Sequence, residues 1–248
     1  MMKVYITNDD GIEAAGIRAL GRVVRSRGYD LTVVAPHGNH SGKSQSITFD
    51  RPLTAMPYSM DGDVEAYRVS GTPADCVRLM MAGAFGEVPD IILSGVNHGA
   101  NLGPDVYLSG TVGAARQAAL SRIPAIAWST DDVVDEDALI ELLAQYLEPV
   151  VAMALSNPGT LYNVNFPEVG GASSALTKVG DPWYRERVTL VGPSEVILTR
   201  EVREDSIDAG SDVACVRSGI TSISPIVVAA AVDRRFAMQA VEDAIKIG

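Results

Sequence analysis

Lys3-Val4-Tyr5-Ile6-Thr7-Asn8-Asp9-Asp10-Gly11 opens the chain with an apolar run that stops abruptly at an amide, two carboxylates and a glycine. A helical pattern follows at once, so the stretch reads as the first strand and the first βα turn of an open parallel sheet. Consecutive side chains on a strand point to opposite faces. Asp9 and Asp10 therefore converge only if the chain turns there, and Gly11 permits that turn. In such a sheet the carboxyl ends of the strands are where ligands bind. The same residue types also close ordinary turns by bonding local backbone donors, and taken alone the stretch serves either purpose.

Working outward, a helix is expected from about Ala14 to Arg27, with Ile17, Leu20, Val23 and Val24 on one face and Gly28 as its stop. Leu31 to Ala35 reads as a second strand, Pro36 to Ser46 as a polar loop, and Ile47 to Val69 as short extended pieces separated by turns. Thr72-Pro73-Ala74-Asp75 places a cap, a proline and an acid in the order that starts a helix, which should run to about Ala84. Ile91 to Leu93, Ala125 to Trp128 and Leu161 to Asn165 read as buried strands, with helices at Thr111 to Leu120 and Asp135 to Leu155 between them. Strands alternating with helices at these lengths imply right-handed crossovers, hence an α/β, Rossmann-like, doubly wound and mainly parallel sheet. After Pro167 the character changes to short β-prone runs, Arg187 to Val191 and Val196 to Arg200, then a strand at Ser222 to Val232 and a helix at Arg234 to Ile247. The expected division is a core over 1–166 and a β-rich C-terminal extension over 167–248.

The chain has 248 residues, 47% of them hydrophobic, enough to bury a sizeable core. Its formal net charge is −11 and its basic residues form no cluster, so a nucleic-acid polymer would meet repulsion; no polymeric DNA or RNA partner is expected. No apolar run approaches the roughly 20 residues of a membrane span, and the start is too short for the apolar part of a signal peptide. Cys76 and Cys215 lack a metal or redox spacing and read as reduced core residues. No membrane partner is expected, and the expected location is cytoplasmic.

Three junctions after strands carry unusual polar chemistry: Asn8 to Gly11, Asn39 to Ser46 and Ser94 to Thr111. On parallel neighbours they emerge at one sheet edge, where Asp9, Asp10, Ser41 and Asn97 offer hard oxygen donors suited to Mg²⁺, Mn²⁺ or Ca²⁺ rather than structural zinc. The third junction continues through Asn101 and Asp105 to Ser109-Gly110-Thr111, small hydroxyl residues at a helix start, which is either an anion site or an ordinary cap. His37, His40 and His98 fall in these loops, as solvated turn residues or as a general base or ligand. Gly38 to Ser44 imitates a phosphate-binding P-loop but is one residue short and precedes no helix. Asp9-Asp10-Gly11 lacks the Asp-x-Asp spacing of an aspartyl-phosphate nucleophile.

Beyond these readings the chain resembles the SurE family of metal-dependent nucleotidases. The resemblance rests on Thr7 to Ile12 with Gly16-Ile17, Ser41-Gly42 with Ser46-Ile47-Thr48, Gly71 to Val77, Ser94 to Asn97 with Gly99, Asn101 and Gly103, Ser109 to Arg116, and Asn163 to Pro167. It implies a 5′-nucleotidase, a phosphoric monoester hydrolase acting on nucleoside monophosphates. It also implies one divalent cation per subunit, Mg²⁺ or Mn²⁺ first and Ca²⁺ as a crystal substitute, held by Asp9, Asp10, Ser41 and Asn97. Water would attack phosphorus in line, with one of Asp9 and Asp10 as the catalytic group that orients or deprotonates it, and Asn8, Asn101, Ser109, Gly110 and Thr111 would hold the phosphoryl oxygens. A homodimer or homotetramer that exchanges C-terminal elements is implied as well. His40, Lys43 and Gln45 depart from the family pattern, which bears on substrate preference. The competing readings are a non-catalytic nucleotide-binding or assembly module and a kinase-like enzyme built on Gly38 to Ser44.

Overall fold

The computed structural model describes residues 1–60, 62, 64–131 and 135–228. Its first strand, β1 (Lys3–Thr7), is followed by helix α1 (Ala15–Ser26), β2 (Asp30–Pro36), the short β3 (Ala55–Pro57), β4 (Glu65–Val69) and α2 (Pro73–Met81). Next come β5 (Ile91–His98), α3 (Asp105–Leu108), α4 (Gly110–Leu120), β6 (Ala125–Thr130), α5 (Glu136–Ser156) and β7 (Thr160–Phe166). The chain continues as β8 (Ser174–Leu176), β9 (Tyr184–Leu190), β10 (Val196–Val202), α6 (Asp212–Arg217) and β11 (Thr221–Val227). The main sheet runs β3-β4-β2-β1-β5-β6-β7-β11-β8, while among the described residues β9 and β10 pair only with each other.

From β4 through β7 every neighbouring pair is parallel. The chain winds outward from β1 to β2 and β4, then returns to β1's other side to lay down β5. The crevice between the carboxyl ends of β1 and β5 is thus the switch point of the sheet, where such folds seat ligands. The period-2 alternation of β1 feeds both layers. Val4 and Ile6 join the core under α1 and α5 with Ile17, Leu20, Val24, Leu143 and Leu147. Tyr5 faces the opposite core, with Cys76, Val77 and Met80 of α2 and Val112, Ala115 and Ala118 of α4. Full burial of one such Leu or Ile contributes about 1.5–3 kcal/mol, which makes the two layers the bulk of the stabilisation.

Local chemistry explains the helices. At α2 the Thr72 hydroxyl accepts from the Asp75 amide and the Asp75 carboxylate accepts from Thr72, a complete capping box with proline at the first turn. The first six residues of α4 are Gly, Thr, Val and Ala, so it lies close on the sheet with residues 110–115 entirely buried. α5 is long and apolar enough to cross a membrane by length and composition, a property the sequence reading missed because Glu141 and Glu148 interrupt its apolar run. In this fold the stripe Leu139, Leu143, Leu147, Val150 and Ala154 is spent on the core.

Several elements depart from the sequence expectation. β5 runs on to His98 through an irregularity between Ser94 and Asn97, so Asn97 ends a strand and does not sit in a loop. α3, α6 and β8 are too short to show a periodicity. β11 pairs antiparallel to β7, and with β8 it extends the main sheet beyond residue 166. The expected C-terminal helix, Arg234 to Ile247, lies outside the described residues.

Candidate active site

The three polar junctions meet, and the backbone ties them together. The His40 amide donates to the Asp9 carbonyl at 2.6 Å, joining the second loop to the first. The Ser44 amide and hydroxyl donate to the Leu108 and Tyr107 carbonyls at 2.9 and 2.6 Å, joining the second loop to the third. Gly11 has φ +103°, and a Cβ there would meet the Gly38 backbone at 3.1 Å, so glycine is needed for both the turn and the close approach.

A cleft of about 200 Å³ opens at this edge, lined by Asp9, Ser41, Asn97, His98, Asn101, Asp105, Ser109 and Arg200 among others. Beside it a second hollow is lined by Asp10, Asn39, Asn97 and His98. Asn97 and His98 line both, so the two carboxylates open on adjoining spaces. The Asn97 amide nitrogen donates to the Gly99 carbonyl at 2.6 Å, which leaves the amide oxygen as an acceptor with no hydrogen bond among the described residues.

Asp9 is 2% exposed. Its Oδ1 accepts the Thr111 hydroxyl, and the Gly110 and Thr111 amides also face it. A Cβ at Gly110 would stand 2.8 Å from Asp9 Oδ2, so the glycine is what lets the carboxylate seat on the start of α4. Burial pushes the Asp9 carboxyl up, and the Thr111 hydroxyl with these amides offsets part of that. Asp10 is also raised, first by burial and then by the charge of Asp9, against the His98 amide that donates to it at 3.3 Å. Asn39 links the second carboxylate to Ser41: its amide donates to Asp10 at 3.5 Å and its oxygen accepts the Ser41 amide at 2.7 Å.

Asn101 is clamped from two strands. Its amide nitrogen donates to the Ser129 hydroxyl at 2.8 Å, its backbone amide to Asn165 at 2.8 Å, and its carbonyl accepts Asn163 at 2.9 Å. Asp212 at the start of α6 braces the same loop by accepting the Gly103 amide at 3.0 Å. Ser109 caps α4 by accepting from the Val112 amide.

Three of the residues expected to touch substrate are placed otherwise. Asn8 is fully buried and closes the turn on Gly11, donating to its carbonyl at 2.8 Å and accepting its amide at 3.2 Å, so its side chain is spent on the backbone. Thr111 gives its hydroxyl to Asp9, and Gly110 makes room for it. The anion at the start of α4 is the protein's own carboxylate. The second-loop histidine His40 lines a separate hollow with His37, and burial and the Lys43 charge lower its pKa. No helix follows Gly38 to Ser44, which removes the P-loop reading. Sequence reasoning missed Arg200, Asn163 and Asn165. The paired Asn163-x-Asn165, alternating on one face at a strand's carboxyl end, was the available signal for the clamp.

The donor set fits a hard cation. Among the described residues neither Asp9 nor Asp10 pairs with a basic side chain, and a buried carboxylate without a counter-charge is costly unless a ligand supplies one. No cluster of three or more His, Cys, Asp or Glu suited to a metal occurs among the described residues, so neutral oxygens such as Ser41 and Asn97 would have to complete the shell. That composition suits Mg²⁺-like ions, which keep several waters.

A family model described as survival protein SurE matches residues 4–188. A 5′-nucleotidase SurE of Synechococcus sp. (strain JA-3-3Ab) is 36% identical over 237 residues, 91% of each chain. One from Stenotrophomonas maltophilia (strain R551-3) is 37% identical over 92% of this chain and 90% of its own. The crystal structure of the SurE protein from Aquifex aeolicus superposes with a TM-score of 0.78 at 31% identity, covering 97% of this chain and 99% of that one.

Proposed function

The chain belongs to the survival protein SurE family, and from that premise we propose a 5′-nucleotidase that hydrolyses nucleoside monophosphates to nucleoside and inorganic phosphate with one divalent cation per subunit. The observation that carries this reading is the convergence of Asp9, Ser41, Asn97, Asn101 and Ser109 on one cleft, with Asp9 buried and, among the described residues, lacking a basic partner. Bound between Asp9, Asp10, Ser41 and Asn97, the cation would neutralise phosphate charge and acidify a water molecule.

The protein's own groups then have separable tasks. Asp9, fixed by the Thr111 hydroxyl, cannot turn toward a reacting water without losing that bond, so it holds charge in place. Asp10, on long contacts of 3.3 and 3.5 Å, is free to orient the water and take its proton. The second N–H of the Asn101 amide and the Ser109 hydroxyl are donors for phosphoryl oxygens, in positions fixed before substrate arrives. Self-association is part of the reading, supported by Val188, Leu190, Val196 and Leu198, large apolar residues left exposed on the β9–β10 ribbon.

Phosphate release from a panel of nucleoside monophosphates, before and after chelation, tests the proposal. Chelation should abolish release and Mg²⁺ or Mn²⁺ should restore it. Unchanged release in chelator, or tight metal-dependent nucleotide binding with no turnover, would remove it.

A further inference from the structure

Arg200 lies on β10, far along the chain from the three junctions, yet its side chain lines the same cleft as Asp9, Asn101 and Ser109. Two bonds hold it there: its terminal nitrogens donate to the Asp105 carboxylate at 2.9 and 2.8 Å, a fork-to-fork pair. Its guanidinium carbon stands 4.2 Å from the centre of the Tyr184 ring, and the Tyr184 hydroxyl donates to the same Asp105 at 2.6 Å. The side chain is still 51% exposed. It is the one lysine or arginine on the wall of this cleft among the described residues.

Position along the cleft decides what Arg200 would meet. Asp105 and Ser109 flank α3, four residues apart, which is about 6 Å of helix at about 1.5 Å per residue. Arg200 is therefore anchored about one helical turn along the wall from Ser109, which with Asp9 is the group that the nucleotidase reading sets against the phosphoryl group. That is the reach of the group esterified to the phosphate. Charge agrees, because Asp105 already balances the guanidinium. What remains is a set of unused N–H donors and a planar face not covered by Tyr184, which suit sugar hydroxyls and a base better than a phosphate dianion.

We infer that Arg200 is a specificity-determining residue that contacts the sugar and base of the substrate, carried to the cleft by the β9–β10 ribbon. The inference rests on the nucleotidase reading and deepens it.

The test compares a nucleoside 5′-monophosphate with ethyl phosphate, which has the phosphoryl group and neither sugar nor base. Arg200→Ala should lower kcat/KM for the nucleotide about tenfold, mainly through KM, and leave ethyl phosphate within about twofold. Arg200→Lys keeps a charge at Asp105 without the fork, and should move the nucleotide in the same direction by less. Equal losses on both substrates, or no loss on the nucleotide with either variant, would overturn the assignment. If the wild-type protein releases phosphate from neither substrate, the nucleotidase reading fails separately. Calorimetry then decides the inference: weaker binding of the nucleotide to Arg200→Ala, with inorganic phosphate unchanged, supports it, and equal effects overturn it.

Discussion

The carboxyl edge of β1 and β5 and the β9–β10 ribbon both reach the cleft, but they are built in opposite ways. At the edge, Thr7, Asn8, Ser94 and Thr111 are fully buried and Asp9 nearly so, with Asn8, Asp9 and Thr111 bonded to one another or to backbone. On the ribbon, Val188, Leu190, Val196 and Leu198 are more than half exposed, and the polar contacts are surface pairs such as Glu201 with Arg185 and Arg187. The contrast separates two tasks. Charge that changes during a reaction is best met by dipoles fixed in advance, whereas choosing among leaving groups needs only a side chain at the rim. A group on the frozen edge should therefore affect turnover far more than stability, and one on the ribbon should affect neither strongly unless it touches substrate.

The largest effect that can break this comparison is at Asp9. Asp9→Asn keeps the shape but removes the charge, and phosphate release should fall by about 10³-fold. Because the mutation also removes a buried charge that has no basic partner among the described residues, the melting temperature should be no lower than wild type. A variant that loses activity only because it melts early would show the edge to be structural. Next is Gly110→Ala, whose Cβ would displace the Asp9 carboxylate from 2.8 Å. A misplacement of that order should lower kcat by about 10²-fold, with metal affinity reduced in calorimetry.

How much of this the sequence discloses follows the same division. The edge was legible because each junction joins a short apolar strand to turn and capping residues, and because parallel topology brings those ends together whatever the spacing. Family resemblance supplied the reaction that the donor set alone left open. The pairing of Asn8 with the Gly11 backbone was not legible, because it is decided by a turn geometry no composition reveals. Gly110 and Thr111 were read as an anion site for substrate, and the anion is Asp9, a contact across 102 residues of sequence. Arg200 gave no local signal at all. It sits on an exposed strand among other charges, and only its partner Asp105 marks it out.

Asp75 belongs to neither edge nor ribbon: it stands at the start of α2, off the cleft. Its buried carboxylate accepts the Thr48 amide at 3.0 Å, the Thr48 hydroxyl at 2.6 Å and the Thr72 amide at 3.1 Å, pinning the chain after the second loop to α2. Asp75→Ala strands those donors and removes a cap, so stability should drop by about 3 kcal/mol, read by denaturant melts, with kcat little changed in the folded fraction. Burial pushes this carboxyl up, but the Thr48 and Thr72 bonds outweigh it and hold it below its ordinary value. A depressed folded pKa stabilises above the unfolded value near about 4 and is lost as pH falls below it. Wild type should therefore lose part of its stability on acidification through that range, and Asp75→Ala should lose less.

The smallest effect should come from Glu201. Arg185 and Arg187 both bond its carboxylate and hold it down at about 2, so it stays charged across any working pH. The three side chains are nonetheless about half exposed, and pairs in that setting gain in Coulomb energy roughly what they lose in hydration and side-chain freedom. Glu201→Gln should leave the melting temperature and kcat unchanged within error at neutral pH. A clear drop in melting temperature, comparable to that of Asp75→Ala, would mean that the ribbon unfolds with the sheet as one unit. The rim would then be as frozen as the edge, and the contrast between them would no longer explain which residues carry the chemistry.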